Sequence, residues 1–330
     1  MIKILYYCLC SALLYFPTHS IAKQKILVIE SYHCDFDWDI SYKQGIRSVL
    51  QDQFELYYFQ MDTKRIETSL YQERADRAWA IYNQLDPDLV ILGDDNAVQY
   101  LSDHFLQVTT PVIYLGLNNN PRHYNIHQSQ NISGVLERPL LKRAIPIIDQ
   151  ILPQKLKRVL VLFDDSIVAE TIVKEAFSSD VQMEILGIEV NIQQVGDWSD
   201  WKQAVLSSAD NNYDALFIGL FHTLKDSNGQ HVPEEQVIEW SAANTPIPPF
   251  GFWDYSIGEN KNIGGLVIFG FEQGKLAAEM AKEILLNGVP PSQLRAKTAE
   301  KGRYLFSRKA LQKYDLTLPE NIAKKATYIE

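Results

Sequence analysis

The sequence contains 330 residues, with 31 lysines and arginines against 41 aspartates and glutamates, so its formal net charge is −10. An acidic chain repels polyphosphate and anionic lipid, which argues against nucleic acid or a membrane surface as a partner. The 46% hydrophobic and 22% charged fractions are typical of a folded globular protein and exclude a disordered tail. Three cysteines are too few for a disulfide scaffold.

The first 22 residues have the pattern of a secretory signal peptide. Lys3 precedes a short apolar run, Pro17 interrupts that run, and small residues lead to a predicted cleavage after Ala22. The alternative is a membrane anchor that stays attached, although the run is short for a bilayer span. Cleavage would leave Cys34 as the one cysteine, so no internal disulfide is expected. The sequence therefore predicts a soluble, exported chain.

Continuous apolar runs of strand length alternate with helix-length segments in both halves of the chain. Such runs are typical of strands buried on both faces, as in a parallel sheet covered by helices. We therefore predict an α/β fold with two doubly wound parallel-sheet, Rossmann-like lobes. In the first half the predicted strands are 25–30, 54–61, 88–93 and 111–116, and the predicted helices are 38–50, 69–85 and 96–105. In the second half the predicted strands are 158–163, 184–190, 214–219 and 249–252, and the predicted helices are 167–177, 198–209 and 234–243.

The chain continues beyond the elements that two lobes require. A strand at 264–269, an amphipathic helix that ends at Gly288, and a strand near Tyr304 follow. A chain that crosses several times between lobes forms a hinge, and a hinge permits closure around a ligand. The predicted division is a signal peptide (1–22), a first lobe (23–135 plus 264–289) and a second lobe (136–263 plus 290–330).

Ligands of open parallel sheets bind beyond the carboxyl ends of the strands, where helix N-termini converge. The predicted strand-end loops are rich in aromatic, carboxylate and amide side chains, which suit a small polar ligand with an amine or several hydroxyls. The candidate ligand-binding residues are Ser31, Tyr32, His33, Trp38, Asp95, Asn96, Asn118, Asp164, Ser166, Phe221, His222, Trp253, Asp254 and Glu272.

Several of these candidates have purely structural alternatives, and signals for chemistry are weak. The sequence has no HExxH, no G-x-S-x-G and no CxxC after residue 22, so we expect no catalytic residue, metal or cofactor. Adjacent aspartates at 94–95 and 164–165 are a poor arrangement for a metal ion. The structural alternatives are helix capping for Asp95, Asn96, Asp164 and Ser166, a turn for Asn118, a helix-to-sheet contact for Trp38, and an ordinary surface position for His33 and His222.

These loops resemble those of the periplasmic solute-binding proteins of the ABC-transporter substrate-binding family, which have the type I bilobal fold. The same module forms the sensing region of bacterial histidine kinases and diguanylate cyclases. The resemblance covers nearly all of the chain after the signal peptide. The matching stretches are 29–33 with Trp38, 44–46, 86–88 with 94–97, 133–137, Gly274 with the helix to 288–290, and 316–319.

The resemblance implies reversible ligand capture without catalysis, and in some relatives the ligand is an aromatic amino acid. Cys34-Asp35 follows His33 where sensor-type relatives tend to have Pro-Gly. No arginine was found in the strand-end loops, so a ligand carboxylate is expected to contact helix N-terminal amides near Asn96 or Ser166. The ligand contacts that the resemblance implies are Ser31, Tyr32, Asp95 and Asn96 in the first lobe, and Asp164, Ser166, Phe221 and Asp254 in the second.

The predicted function is that of a monomeric periplasmic protein that captures a small polar solute between its lobes and presents it to an ABC permease. An amino acid or another amine-bearing metabolite is the expected ligand. One alternative is a ligand-sensing partner of a membrane histidine kinase or diguanylate cyclase. Less favoured alternatives are an exported hydrolase of a small polar substrate and a structural adaptor.

Overall fold

The computed structural model describes residues 23–177, 181–299 and 302–330, so the predicted signal peptide and its cleavage point lie outside the described residues. Within those residues, no helix combines the length and the apolar character that a membrane crossing requires. The strands are β1 (Lys25–Glu30), β2 (Glu55–Gln60), β3 (Leu89–Gly93), β4 (Val112–Leu117), β5 (Ile132–Leu136), β6 (Arg158–Asp164), β7 (Gln182–Ile185), β8 (Ile188–Val195), β9 (Ala215–Ile218), β10 (Pro249–Gly251), β11 (Gly264–Val267), β12 (Lys297–Thr298), β13 (Arg303–Ser307) and β14 (Ala326–Ile329). The α-helices are α1 (Asp37–Leu50), α2 (Tyr71–Leu85), α3 (Asp94–Phe105), α4 (Leu141–Asp149), α5 (Ile167–Phe177), α6 (Trp198–Leu206), α7 (Glu234–Asn244), α8 (Gly270–Asn287), α9 (Arg308–Lys313) and α10 (Glu320–Ala323).

The first lobe is built on a parallel sheet of six strands in the order β12-β5-β4-β3-β1-β2. Alternate residues of each central strand enter opposite cores. Ile26 and Val28 of β1 pack with α1 and α8, whereas Leu27 and Ile29 pack with α2 and α3. The continuous apolar runs in the sequence are thus explained by strands that are covered on both faces.

The second lobe repeats this design with the order β10-β9-β6-β8-β7. Val159 and Val161 of β6 face α4 and α5, and Leu160 and Leu162 face α6 and α7. In the first lobe β1 lies between β2 and β3, and in the second lobe β6 lies between β8 and β9, so each sheet has a switch point at which ligands can bind. The prediction of two doubly wound α/β lobes is confirmed.

The predicted strand at 184–190 is wrong, because this segment is a hairpin of the antiparallel strands β7 and β8. Leu186 and Gly187 have φ angles of 51° and 83°, and a two-residue turn with two positive φ angles is the tight connection that hairpins favour. An uninterrupted apolar pattern hides such a turn, although Gly187 was a local signal for it.

A third sheet, in the order β11-β13-β14, contains the last part of the chain. Two short strands, β11 and β12, contact a different lobe from the one to which the predicted division assigns them. Strand β11 contacts β10 and α4 of the second lobe, and β12 pairs with β5 of the first. Helix α8 packs on α1, β4 and β5, so the chain passes between the lobes near 137–140, near 268–269 and between β12 and β13. The residue-level division of the lobes stays a prediction.

Helices α1 and α8 touch through their backbones at two glycines. A Cβ on Gly45 would overlap the carbonyl oxygen of Phe271, and a Cβ on Gly274 would overlap that of Tyr42. Only glycine permits such an approach. The contact fixes α8 to the first lobe and therefore holds the crossings that flank it in place.

Candidate functional site

A cleft between the two lobes contains two adjoining chambers, which we call the inner and outer chambers. They lie at the carboxyl ends of the strands and share Tyr32, Lys64 and Val168. The inner chamber measures about 20 Å³ and the outer chamber about 240 Å³. The inner chamber is lined by Tyr32, Phe36, Trp38, Lys64, Asp94, Asn118, Glu137, Val168, Ile172, Leu220, Trp253 and Tyr255. The outer chamber is lined by Tyr32, Thr63, Lys64, Arg65, Ile66, Glu67, Thr68, Tyr71, Asn96, Asp165, Ser166, Ile167, Val168, Thr223, Lys225, Gly229 and His231.

Asp94 organises the first-lobe wall of the inner chamber. Its Oδ1 accepts a hydrogen bond from the Tyr32 hydroxyl at 2.8 Å, and its Oδ2 accepts one from Trp38 Nε1 at 2.9 Å. Its φ of 74° is unusual for a residue with a side chain, and such strain recurs at functional sites. A Cβ on Gly116 would lie 3.0 Å from Oδ2, so the positive-φ glycine in β4 leaves space for this carboxylate.

Burial and the neighbouring Asp95 raise the pKa of Asp94 to about 7. Burial also raises the pKa of Tyr32 well above its usual value, and the nearby carboxylates add to this rise. The Tyr32 hydroxyl therefore remains a donor across the physiological pH range. Two aromatic rings are thus held by a carboxylate whose charge depends on pH near neutrality.

Trp253 and Glu137 form the matching anchor at the second-lobe wall. Trp253 is 1% exposed, and its Nε1 donates to Glu137 Oε1 at 2.7 Å. Burial raises the pKa of Glu137 well above its usual value, and the charge of Asp94 acts in the same direction. Glu137 follows β5, where the chain leaves the first lobe, so this bond joins the hinge to the second lobe.

Basic side chains and hydroxyl groups dominate the outer chamber. Lys64 and Arg65 follow β2, and Lys225 faces them from the second lobe. The expectation that no arginine lies in the strand-end loops is therefore wrong, because the loop after β2 reaches the same sheet edge as the others. Asn96 donates through Nδ2 to Thr63 Oγ1 at 2.8 Å, which ties this loop to the start of α3.

Ser31, Asp95 and Asp164 support the chamber walls from behind and do not line either chamber. Ser31 Oγ donates to the Gly93 carbonyl at 2.6 Å and accepts from Ala97 N at 2.8 Å. Ser31 thus accepts a hydrogen bond from the first turn of α3, a structural role that was predicted for other candidates but not for Ser31.

The two buried aspartates play equivalent parts in the two lobes. Asp95 accepts hydrogen bonds from Asn118 N and Nδ2, both at 3.0 Å, and so fixes the loop after β4. Asp164 accepts from His222 N at 2.8 Å and from Ser166 Oγ at 2.6 Å, and so fixes the loop after β9. Ser166 Oγ also accepts from Ala169 N at 3.2 Å, which confirms its capping role. These carboxylates use their oxygens on the protein's own amides and hydroxyls.

The histidines are buried, so the interpretation of His33 and His222 as ordinary surface residues is wrong. They are 3% and 2% exposed. His222 stacks on Phe221 with ring centroids 4.2 Å apart and meets the edge of Phe36 of the first lobe at 5.0 Å. His33 Nε2 lies 3.8 Å from Glu234 Oε1 at the start of α7. Both histidines therefore contact the opposite lobe rather than either chamber.

Three further predicted site residues, Phe221, Asp254 and Glu272, also lie outside both chambers. Asp254 accepts a hydrogen bond from Tyr255 N at 3.0 Å, and burial raises its pKa to about 7. Glu272 lies in the first turn of α8 and pairs with Arg303. Tyr32, Trp38, Asn96, Asn118, Ser166 and Trp253 do line the chambers.

Sequence analysis did not include the lining residues Phe36, Lys64, Asp94, Glu137 and Tyr255 among the candidate ligand-binding residues. Lys64 follows strand β2, which the sequence predicts correctly, but the candidate loops do not include the end of this strand. Glu137 follows the short strand Ile132–Leu136, and the sequence pattern of this segment, which contains Gly134, indicates a crossing between lobes rather than a strand. The available signal in both cases was the rule that every parallel strand delivers its following loop to the same edge.

Comparisons with known proteins agree with this architecture. The model of the family described as ABC transporter substrate binding protein matches residues 40–329. No curated protein matches the chain in sequence. The solved structure of an ABC domain in complex with L-Trp from Streptococcus pneumonia is 19% identical, with a TM-score of 0.68 over 94% of this chain and 100% of that one.

Two further structures share the fold at lower similarity. A carbohydrate transporter solute-binding protein from Agrobacterium radiobacter, in complex with D-arabinose, is 12% identical, with a TM-score of 0.56 over 93% of this chain and 99% of that one. A complex of the TorS sensor domain with TorT, without ligand, contains a chain that is 14% identical, with a TM-score of 0.55 over 86% of this chain and 91% of that one. At such identities the likeness shows the type I periplasmic binding protein fold. With the family match across most of its length, the chain belongs to the ABC transporter substrate-binding protein family.

Proposed function

We propose that this protein is a periplasmic receptor that captures a small polar solute between its lobes and presents it to an ABC permease. The observation that carries the proposal is the inner chamber, whose walls come from both lobes and whose aromatic rings are fixed by buried carboxylates. A site shared by two lobes binds most tightly when the lobes are closed, so a ligand selects the closed state.

The ligand that we propose is an amino acid or another amine-bearing metabolite. Tyr32, Phe36 and Trp253 offer flat contact area, and Asp94 and Glu137 offer acceptors for an ammonium group. Lys64, Arg65 and Lys225 offer donors for a carboxylate in the outer chamber. The solved relative that contains L-Trp supports this class of ligand by analogy.

Export of the chain is part of the proposal. The signal-peptide pattern of residues 1–22 and the family match both support a periplasmic location. Cys34, the one cysteine after that segment, is exposed and unpaired within the described residues. A periplasmic chain of this kind needs no disulfide to fold, because its two lobes each bury an extended apolar core.

A thermal-shift screen of amino acids, polyamines, sugars and nucleosides tests the proposal. We expect at least one compound to raise the melting temperature, to bind with one-to-one stoichiometry, and to be recovered unchanged. Recovery of a product would instead favour the hydrolase. Lack of stabilisation by every compound would contradict solute capture and favour a structural adaptor.

A second role, as a ligand-sensing partner of a membrane kinase or cyclase, is favoured by the fold likeness to the chain in the TorS–TorT complex. The two roles differ in what the closed protein contacts. Ligand-dependent stimulation of a permease ATPase would support transport. Ligand-dependent binding to the extracytoplasmic domain of a sensor, without such stimulation, would support sensing.

A further inference from the structure

The side chain of Lys64 lies at the boundary between the two chambers. Its Nζ is 4.3 Å from the centroid of the Tyr32 ring and 4.8 Å from that of Phe36. Lys64 belongs to the loop after β2, yet the chambers on both sides of it include second-lobe residues such as Val168. A lysine ammonium that faces two aromatic rings occupies the position that aromatic cages offer to ligand cations.

The ammonium of Lys64 has no carboxylate oxygen within 4.0 Å among the residues that the structure describes. Asp94 of the first lobe and Asp164 of the second still favour its charge electrostatically, whereas burial lowers its pKa. The oxygens of both carboxylates are already engaged by protein donors. The positions of the two carboxylates are therefore fixed by protein donors, and Lys64 is held by their charge and by the rings rather than by direct ion pairs.

The inner chamber contains an acceptor that Lys64 does not satisfy. Asn118 is 3% exposed and lines the chamber, and its Oδ1 has no hydrogen-bond partner among the described residues. The amide orientation is set by Nδ2, which donates to Asp95 and to the Gly116 carbonyl. A buried acceptor without a donor is costly, so the chamber favours a donor group. At about 20 Å³, the chamber has room for roughly one water molecule beside the present side chains.

We propose that the inner chamber binds the ammonium group of a ligand amine, and that Lys64 is a resident cation which must swing into the outer chamber before that amine can enter. The outer chamber, which Lys64 also lines, offers about 240 Å³ for the displaced side chain. Lys64 is then a specificity-determining residue. A ligand without a cation gains no attraction from Asp94 and Asp164 when it replaces the Lys64 ammonium. The inference rests on the proposed function, since it concerns the same cleft.

Lysine NMR tests the position and displacement of Lys64 directly. In protein labelled with ¹³C-lysine, the Lys64 ε-methylene signal is assigned by its loss in Lys64→Met. We expect this signal upfield of exposed lysines in ligand-free protein, because of the Tyr32 and Phe36 rings. Titration with methylammonium or phenethylamine should move it to the position of exposed lysines, whereas 3-phenylpropionate should not. A signal without an upfield shift, or one that no amine moves, overturns the proposal.

Calorimetry on variants tests the competition. We expect Lys64→Met to bind phenethylamine about tenfold more tightly than the wild type, because the resident cation and its repulsion are gone. Lys275→Met is the matched control, since Lys275 lies on the exposed side of α8 beside Glu279. The affinity of this variant for phenethylamine should equal that of the wild type. Equal or weaker binding by Lys64→Met overturns the proposal, and Lys64→Gln replaces it if the methionine variant does not fold.

The failure of this inference can be told apart from failure of the proposed function. If sugars, nucleosides or phenylpropionate bind and no amine displaces Lys64, solute capture stands and the assignment of the inner chamber falls. If no compound of any class binds, both fall.

Discussion

The inner and outer chambers adjoin each other but are built from different chemistry. The inner chamber has aromatic walls and carboxylates that accept hydrogen bonds from tyrosine and tryptophan side chains of the protein, and it holds about 20 Å³. The outer chamber has hydroxyls and basic side chains and holds about 240 Å³. Preorganised groups discriminate between ligands at low entropic cost, whereas an exposed polar vestibule contributes less to affinity. We therefore expect substitutions at the inner chamber to have the larger effects.

Trp253→Ala should have the largest effect. Truncation would leave a cavity in the core and remove the donor to Glu137, so we expect a loss of about 3–5 kcal/mol in the free energy of unfolding. Urea denaturation measures this loss. Trp240→Ala, at a partly buried tryptophan outside both chambers, is the control and should cost clearly less. Equal losses in the two variants would show that Trp253 is not a structural anchor of the inner wall.

Phe36→Ala should weaken ligand binding, because it removes contacts between the lobes that stabilise the closed cleft. Phe36 meets His222 at 5.0 Å and Tyr255 at 5.8 Å, and both partners belong to the second lobe. Such ring pairs contribute about 0.5–1.5 kcal/mol each, so we expect roughly 10- to 100-fold weaker binding of the best compound from the screen. Phe59→Ala, in the first-lobe core away from the cleft, should alter stability and leave affinity unchanged. Unchanged affinity in Phe36→Ala would contradict the role of these contacts.

The contribution of Asp94 to the stability of the ligand-free protein should fall as the pH rises from 6 to 8. The pKa of Asp94 is raised to about 7, so the folded state keeps a proton that the unfolded state has already released. The stabilisation from this proton is complete below the pKa of the unfolded state and disappears as the pH rises through the pKa of the folded state. The free energy of unfolding should therefore lose about 1 kcal/mol of this contribution between pH 6 and 8. Urea denaturation across this range should show a smaller slope in Asp94→Asn. A variant with the wild-type slope would contradict the assignment.

Lys225→Ala should have the smallest effect. Lys225 Nζ lies 3.8 Å from Glu67 Oε2 across the mouth of the outer chamber, and both side chains are more than half exposed, at 53% and 73%. Exposed ion pairs contribute about 0.2–1 kcal/mol, so affinity should change less than about fivefold. Calorimetry at low and high salt checks this. A loss comparable to that of Phe36→Ala would mean that the outer chamber, too, determines affinity.

Much of the fold could be predicted from the sequence, because buried parallel strands produce apolar runs such as Asp88–Gly93 that need no knowledge of tertiary structure. The hairpin at Leu186 and Gly187 was missed because the apolar pattern continues through its turn. The pairing of β12 with β5 was missed because two-residue strands have no period to detect.

The sequence predicted where the candidate site lies in the fold, but it predicted only some of the residues that line it. The strand-end rule found Tyr32, Trp38 and Asn118, but it could not separate residues that line a chamber from residues such as Asp164 that support one from behind. That distinction depends on side-chain direction and on hydrogen bonds between distant segments. The long reach of Lys64 into the cleft likewise depends on rotamers that sequence does not determine.

Small-angle X-ray scattering with and without the best compound from the thermal-shift screen tests the central claim most directly. Two lobes that close on a solute should show a smaller radius of gyration at saturation, and the Phe36→Ala variant should need more ligand to reach it. The same radius with and without a compound that demonstrably binds at one-to-one stoichiometry would contradict capture by closure of the cleft.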